Sequence, residues 1–479
     1  MGEPTTRHTP SVPGLWGIVG FLVCVEIASG ILQGYYVPIL KDIARHLDIH
    51  DADVNWFEAG QLVVSALVVP LLARMGDLVG HRKVLLLSTA VTAVASWAVA
   101  FAPSFLTFLL AWSIQGFYVV WLPLEVSIIH RRTAHTGAQT RLTRRAAAFL
   151  VAALETGVIV GALASGAIVE GTSMTVVLMV PAVAVSLCFV AVWFGVAGTP
   201  PVARGRIDWT GFGLVTLAVG LVMAGLIVVR LQGPDSVWAW LVIVLGLVAF
   251  WPFVRAELGQ QEPLIDVRLL ATPAQWPVQL CAFLFGVSVL GAQFPLSTFA
   301  RTDPDVAGFG LGASAGFVST LIGVYVVSLV VGALGLPLVA RRLGTRWTLV
   351  LATLLVAVGY GLFLPLHDTT AQTLMNIGIA GVGSGALVAA LPAAAAAAAP
   401  ADRTGFVTGM TNTTKTIGGA IASSVFAIAL AATGDQAGAE TVHAPLSGYM
   451  TVWSVCAVTA LVAALALLVT PRDAFRDEH

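Results

Sequence analysis

The chain is a series of apolar runs, each about long enough to cross a bilayer, separated by short polar turns. A helix rising about 1.5 Å per residue needs roughly 20 apolar residues to span the hydrocarbon. Such runs lie near 14–38, 55–75, 84–101, 104–129, 146–169, 174–197, 209–231 and 237–254. Six more follow near 275–299, 314–340, 347–365, 371–398, 406–431 and 447–470. They predict an all-α integral membrane protein with fourteen transmembrane helices. The first run is too long for the core of a signal peptide and lacks a small-x-small cleavage site, so it counts as a span.

Composition supports the same class. Of 479 residues, 58% are hydrophobic and 10% charged, against about 45–50% and 25% in soluble domains, and the mean hydropathy is +0.91. That excludes a soluble enzyme, a disordered chain and a secreted disulfide scaffold. A formal charge of −1 leaves no basic surface for nucleic acid. Cys24, Cys188, Cys281 and Cys456 all fall inside apolar runs and are expected to be small buried hydrophobes.

An even number of spans puts both termini on one side. That side collects 19 of the 24 Lys and Arg residues; the other holds Lys41, Arg45, Arg230 and Arg301, and Lys415 falls within a span. The positive-inside rule then places both termini in the cytoplasm, and the Ala-, Val- and Gly-heavy composition suggests a bacterial inner membrane.

Two turns on that side look alike: Gly76-Asp77-Leu78-Val79-Gly80-His81-Arg82-Lys83, and Arg341-Arg342-Leu343-Gly344-Thr345-Arg346. Six helices with short loops need fewer residues than separate these turns, and the surplus fits two extra helices between Asp208 and Arg268. The expected plan is a six-helix bundle over 1–200, a two-helix insert over 201–270 and a second six-helix bundle over 271–479. Repeated halves are how many transporters build a central site that opens alternately to each side.

The motifs resemble the major facilitator superfamily, in its fourteen-helix drug:proton antiporter branch. The first turn is similar to that superfamily's loop 2–3 motif, with Ala73 where its first Gly stands and Leu78 where an Arg follows the Asp. In span five, Gly157-x-x-x-Gly161-Ala162-x-x-Ser165-Gly166 resembles the antiporter motif, with Ala162 in place of a Pro and Ser165 in place of a Gly. Asp208-Trp209-Thr210-Gly211 before the insert, Glu262-Pro263-Leu264-Ile265-Asp266 after it, and the run from Asp402 to Gly419 also fit. Two positions depart from the family pattern. An Arg expected three residues before Gln115-Gly116 is Trp112, and an Asp expected nine residues before Pro38 is Ser29. The resemblance implies alternating access, no cofactor, and a small-molecule substrate and protons as partners of a monomer in a lipid bilayer.

Charges at membrane depth are costly, about 2.5–3.5 kcal/mol at the centre of a span, and are functional candidates by default. Glu26, Glu155 and Glu125 are the expected proton-coupling groups, although Glu155 could instead bond between packed helices and Glu125 could pair with Arg131 or Arg132. Lys415 reads as a counter-ion for a buried Glu, a contact for an anionic substrate, or a lysine snorkelling to the interface. Glu58 reads as a solvated acid at the outer rim. Gln33, Tyr36, Gln61, Trp112, Gln115 and Asn412, with Lys415, are expected around the substrate pocket, where aromatic faces suit flat hydrophobic or cationic compounds.

By resemblance, Gly76, Asp77, Gly80, Arg82, Lys83 and Arg131 form a cytoplasmic gate, with Asp77 latched against the start of helix thirteen. Gly157, Gly161 and Gly166 form a helix-five packing face set against the other half of the molecule, and Gly381 and Gly385 serve packing alone. The stretch Lys41–Asp53, with Asp42, Asp48, Asp51, Asp53, His46 and His50, reads as a solvated connector with no spacing suited to a metal.

The expected function is proton-driven export of small hydrophobic or cationic compounds, such as drugs or antibiotics. Metabolite uptake or symport, lipid translocation, and a non-transporting membrane sensor are the alternatives. An intramembrane enzyme would need a His-based or nucleophile cluster at depth, and none of the nine histidines lies mid-span.

Overall fold

The computed structural model describes residues 19–134, 139–198, 200–201, 205–290, 292–400, 403–432 and 443–469. It contains fourteen helices long and apolar enough to cross a membrane. They are α1 (Leu22–Leu47), α2 (Asp51–Val79), α3 (His81–Ala100), α4 (Phe105–Arg132), α5 (Arg141–Ile168), α6 (Met174–Gly195), α7 (Trp209–Gln232) and α8 (Val237–Gly259). The rest are α9 (Trp276–Ala300), α10 (Ala315–Leu343), α11 (Thr345–Leu362), α12 (Thr370–Ala397), α13 (Phe406–Ala431) and α14 (Leu446–Val469).

The all-helical, fourteen-span expectation holds. One boundary differs in kind: α1 does not stop at Pro38 but passes through a 3-10 turn at Val37–Ile39 and continues to Leu47. Proline at the first positions of a turn costs no hydrogen bond, so the chain bends there instead of ending.

Two apolar cores form. One gathers residues of α1–α6, with Phe294 from the other side; the second gathers residues of α9–α14, with Ala52. The insert helices α7 and α8 pack on each other, Gly225 and Gly246 allowing close approach. Met223 and Leu226 of α7 lie against Trp56 and Ala59 of α2 and Ala427 of α13. The insert therefore covers the seam where α2 meets α13.

Its connecting segments are anchored by the motifs flanking it. Asp208 accepts a hydrogen bond from the Gly211 N–H at 2.8 Å, capping α7. Glu262 pairs with Arg74 at 2.7 Å, Asp266 pairs with Arg403 at 3.6 Å, and Arg230 reaches Asp53 at 3.2 Å.

We call the end carrying the Gly80 and Gly344 turns the turn end, and the end carrying residues 37–58 the cap end. Gly80 and Gly344 each join two helices with no intervening loop, at φ +104° and +79°. Side chains with a Cβ rarely adopt such angles, which is why both similar turns hold glycine.

At the cap end the halves are tied together. Arg301 of α9 pairs with Asp42 of α1. Lys41 Nζ donates to the Arg301 carbonyl at 3.2 Å and the Thr302 hydroxyl at 3.4 Å, and pairs with Asp51 at 3.4 Å. His443 reaches the same Asp51 oxygen at 3.2 Å, and Ser297 donates to the Val37 carbonyl. The segment read as a solvated connector is thus a folded cap. Lys41 and Asp51 are buried in it, because each finds its counter-charge there. The hydrogen bonds and ion pairs recorded between α1–α6 and α9–α14 among the described residues lie at this end and on the adjoining parts of α2, α5, α10 and α13. The conformation is closed at the cap end.

Candidate functional site

Glu26 is carried by α1 and Glu125 by α4, and both are fully buried. Their carboxyl groups lie within hydrogen-bonding reach of each other. Among the described residues no donor reaches any of the four oxygens. Two acceptor-only groups facing each other in oil are satisfied only if a proton lies between them. Arg132 lies within electrostatic range of Glu125, whereas Arg131 turns away to donate to the Pro200 carbonyl. The acid expected to pair with an arginine thus meets a second acid first. Cys24 stands nearby and is exposed, unlike Cys188, Cys281 and Cys456, which are buried as expected. It occupies the side of α1 that also exposes Phe21 and Ile27, opposite the buried Leu22, Val25 and Glu26.

Glu155 of α5 and Lys415 of α13 come from opposite halves and lie within electrostatic range of each other without a direct ion pair. Both are half-buried. Glu155 also lies within range of Tyr325 of α10. Tyr325 lines a small cleft of about 40 Å³ on the α9–α14 side, together with Val37, Gln293, Leu321, Ile322, Tyr360 and Ile377. Apart from the hydroxyls of its two tyrosines and the polar side chains of Gln293 and Ser297, the walls are aliphatic.

The residues expected around a pocket divide into two groups. Tyr36, Trp112 and Gln115 are sealed inside the α1–α6 core. Gln115 Nε2 donates to the Tyr36 hydroxyl and to Ser96 Oγ, both at 3.0 Å. Tyr36 and Trp112 rings stack at a tilt, 4.3 Å between centroids. Gln33 is exposed and reaches only Ser29, at 3.4 Å, while Gln61 and Asn412 are half-buried.

The gate residues are placed as follows. Asp77 is half-buried, and its carboxylate lies 3.3 Å from His81 Nε2, one turn along. Among the described residues no contact between Asp77 and the start of α13 is recorded; Asp402, just before that helix, lies outside the described residues. Arg82 donates to the Trp193 carbonyl at 2.7 Å and Lys83 is exposed. Leu124 packs where a Cβ on Gly76 would have to go, 2.9 Å away.

The helix-five glycines face two ways. A Cβ at Gly157 would lie 2.5 Å from the Ile27 carbonyl, and one at Gly161 3.1 Å from the Ile31 Cα, so both pack on α1 of the same half. The expectation that this face meets the other half applies only to its last turn. There Gly166 approaches Ser319, whose hydroxyl donates to the Ala162 carbonyl at 2.6 Å. Glu58 is not a solvated rim acid. It is 8% exposed, and its Oε2 accepts from Ser423 Oγ of α13 at 2.8 Å. It shares its helical face with Asn55, Gln61 and Ser65, and that polar stripe inside an apolar span was the available signal.

The sequence profile of the Major Facilitator Superfamily matches residues 22–423 and, in a second alignment, 280–478. The chain belongs to the major facilitator superfamily. It is 28% identical over 435 residues to the multidrug efflux pump LfrA of Mycolicibacterium smegmatis, covering 87% of this chain and 82% of that one. It is 24% identical over 411 residues to the multidrug resistance protein Stp of Mycobacterium tuberculosis, covering 82% and 72%. A uridine/deoxyuridine transporter of Lactococcus lactis is 24% identical over 330 residues, covering 67% of this chain and 66% of that protein. Among solved structures, the nucleoside transporter NupG superposes with a TM-score of 0.65 at 13% identity over 95% of this chain and 99% of its own. The peptide transporter PepTSo gives 0.68 at 12% identity, over 95% and 98%. As a superfamily member the protein is a multi-pass secondary transporter of small molecules and not an enzyme.

Proposed function

We propose that the protein is a proton-driven exporter of small, largely hydrophobic compounds, including cationic ones, working by alternating access in the bacterial cytoplasmic membrane. The turn end, rich in Arg and Lys, faces the cytoplasm together with both termini. The supporting observation is the Glu26–Glu125 pair. It is a proton-binding site without a structural donor, set in α1 and α4 toward the turn end. An exporter needs such a group, loaded from outside and emptied inside while substrate moves the other way.

The small cleft beside Tyr325 and Tyr360 has mainly aliphatic walls; widened to ligand size during the cycle, it suits a hydrophobic body better than a sugar, whose hydroxyls would be left without partners there. That favours efflux-pump-like substrates over the nucleosides named for the Lactococcus relative. In the reversed cycle the same machinery would perform uptake. Purified protein in liposomes with an imposed pH gradient and a trapped pH dye decides between them. Export by antiport releases protons into the compartment from which substrate is withdrawn, and Glu26→Gln abolishes this flux while the protein still inserts. Proton movement in the same direction as substrate would establish symport instead. Coupled flux unchanged in Glu26→Gln would remove the pair from the mechanism.

A further inference from the structure

Glu58 stands apart from the other acids of the cap end. Asp42, Asp51 and Asp53 each face a cation: Arg301, Lys41 and Arg230. Glu58 lies deeper in α2, and among the described residues no ion pair includes it. Its recorded polar neighbour is the Ser423 hydroxyl of α13, from the opposite half. Trp56 and Ala59 on its own helix pack with Ala427 of α13 and with Met223 and Leu226 of α7. Tyr118 of α4 and Tyr360 of α11 lie within electrostatic range, and neither carries a charge near neutral pH. The recorded polar neighbours of this carboxyl are therefore hydroxyls, with the amides of Asn55 and Gln61 one turn away on its own helix, and none of them carries a charge.

A carboxylate held in such a seam without a cation is expensive, whereas a carboxylic acid there is satisfied by one or two hydroxyl contacts. The seam exists only while the cap end is closed. Opening that end moves α2 away from α13, takes Ser423 from Glu58 and admits water to it. The ionised form is then solvated and costs little.

We propose that Glu58 is a second proton-binding residue of the transport cycle, filled as the cap end closes and emptied to the solution on that same side as it opens. Its proton is not carried across. It sets which side of the transporter is open, while the Glu26–Glu125 pair handles the translocated proton. The cap end closes on protonated Glu58, so acid on that side favours closure. The inference rests on the proton-coupled reading for its place in the cycle, but its test is conformational.

Spin labels at His46→Cys and Val306→Cys, exposed positions on opposite halves of the cap end, report the gap between them. The four native cysteines are replaced by alanine and the full chain is held in lipid nanodiscs. With one linked proton, the wild-type ratio of open to closed populations rises by up to about tenfold per pH unit through the titration. In Glu58→Gln, which fixes the neutral state, the cap end stays closed and the ratio becomes flat with pH. In Glu26→Gln the pH response persists although coupled flux is lost.

Should Glu58→Gln prove unstable, Glu58→Asp serves. It keeps a titrating group one methylene shorter, and the response survives with a displaced midpoint. A Glu58→Gln protein with the wild-type pH profile overturns the inference, as does a Glu58→Asp profile indistinguishable from wild type. Coupled flux unchanged in Glu26→Gln, together with a flat profile in Glu58→Gln, would remove the proton-export reading of the pair and leave the gate proton standing.

Discussion

Lys41 is the centre of the cap that holds the two halves together, and its removal should reverse the preferred conformation. The ammonium is 7% exposed and makes three contacts: the Arg301 carbonyl at 3.2 Å, Thr302 Oγ1 at 3.4 Å and Asp51 Oδ2 at 3.4 Å. Two of the three lie on the opposite half. In Lys41→Met the aliphatic stem remains and the charge is lost, so Asp51, itself 3% exposed, keeps only His443. Breaking a buried pair by removing one partner costs about 3–5 kcal/mol, because the remaining charge is stranded. In the open state water solvates Asp51, so nearly all of that cost falls on closure. At about 1.4 kcal/mol per tenfold, the open-to-closed ratio at the cap end should rise by roughly 100- to 4,000-fold.

The His46/Val306 label pair reads this directly as a longer distance distribution. The double variant Lys41→Met/Asp51→Asn should recover much of the closure, since the stranded charge, and not the missing attraction, supplies most of the penalty. A Lys41→Met protein as closed as wild type would refute the reasoning. A double variant as open as the single one would show instead that the contacts to Arg301 and Thr302 do the holding.

Lys415→Met leaves Glu155 facing the seam without its counter-charge. It should reduce flux more than the double variant Glu155→Gln/Lys415→Met does, as measured in proteoliposomes. Gly385→Ala would place a methyl 1.8 Å from the Leu329 carbonyl. Forcing α10 and α12 apart should cost about 3 kcal/mol or more and lower the thermal unfolding midpoint, whereas Gly213→Ala, with nothing within 4 Å, should be neutral.

His50 lies outside the spans and accepts the Ala52 N–H on Nδ1 at 3.1 Å, so it caps the turn only when neutral. Burial, ahead of the neighbouring charges, pushes its pKa below the ordinary 6.5. The cap's contribution is therefore complete above about pH 6.5 and is lost as the pH falls through the lowered value. His50→Asn, which can cap without titrating, should flatten the acid limb of a thermal-stability profile. Asp77→Asn should weaken closure of the turn end, where the resemblance sets this carboxylate against the start of α13. Labels at Lys83 and Arg342 would report a smaller closed fraction.

The spans were legible because the bilayer imposes a length and a polarity that any run of twenty residues either meets or fails. The two turn glycines were legible because a helix-to-helix join without a loop demands a positive φ. What stayed hidden involved residues far apart in the chain. Glu26 and Glu125 are 99 positions apart, and Glu58 and Ser423 are 365 apart. Nothing in the local pattern of either partner says which helix faces it.

The same blindness explains the cap. A segment with four aspartates, two histidines, a lysine and an arginine looks solvated by composition, and it would be solvated if Arg301 and His443 did not bring in opposite charge from the other half. Composition records that these charges exist; only the fold shows that Asp42 and Asp51 are paired across the seam and Glu58 is not. That difference gives the acids different work. Paired acids hold the halves together in a way that pH disturbs little near neutrality. An unpaired acid in the same seam ties closure to the proton concentration outside. A transporter that used only paired acids there would have a gate insensitive to the gradient that drives it.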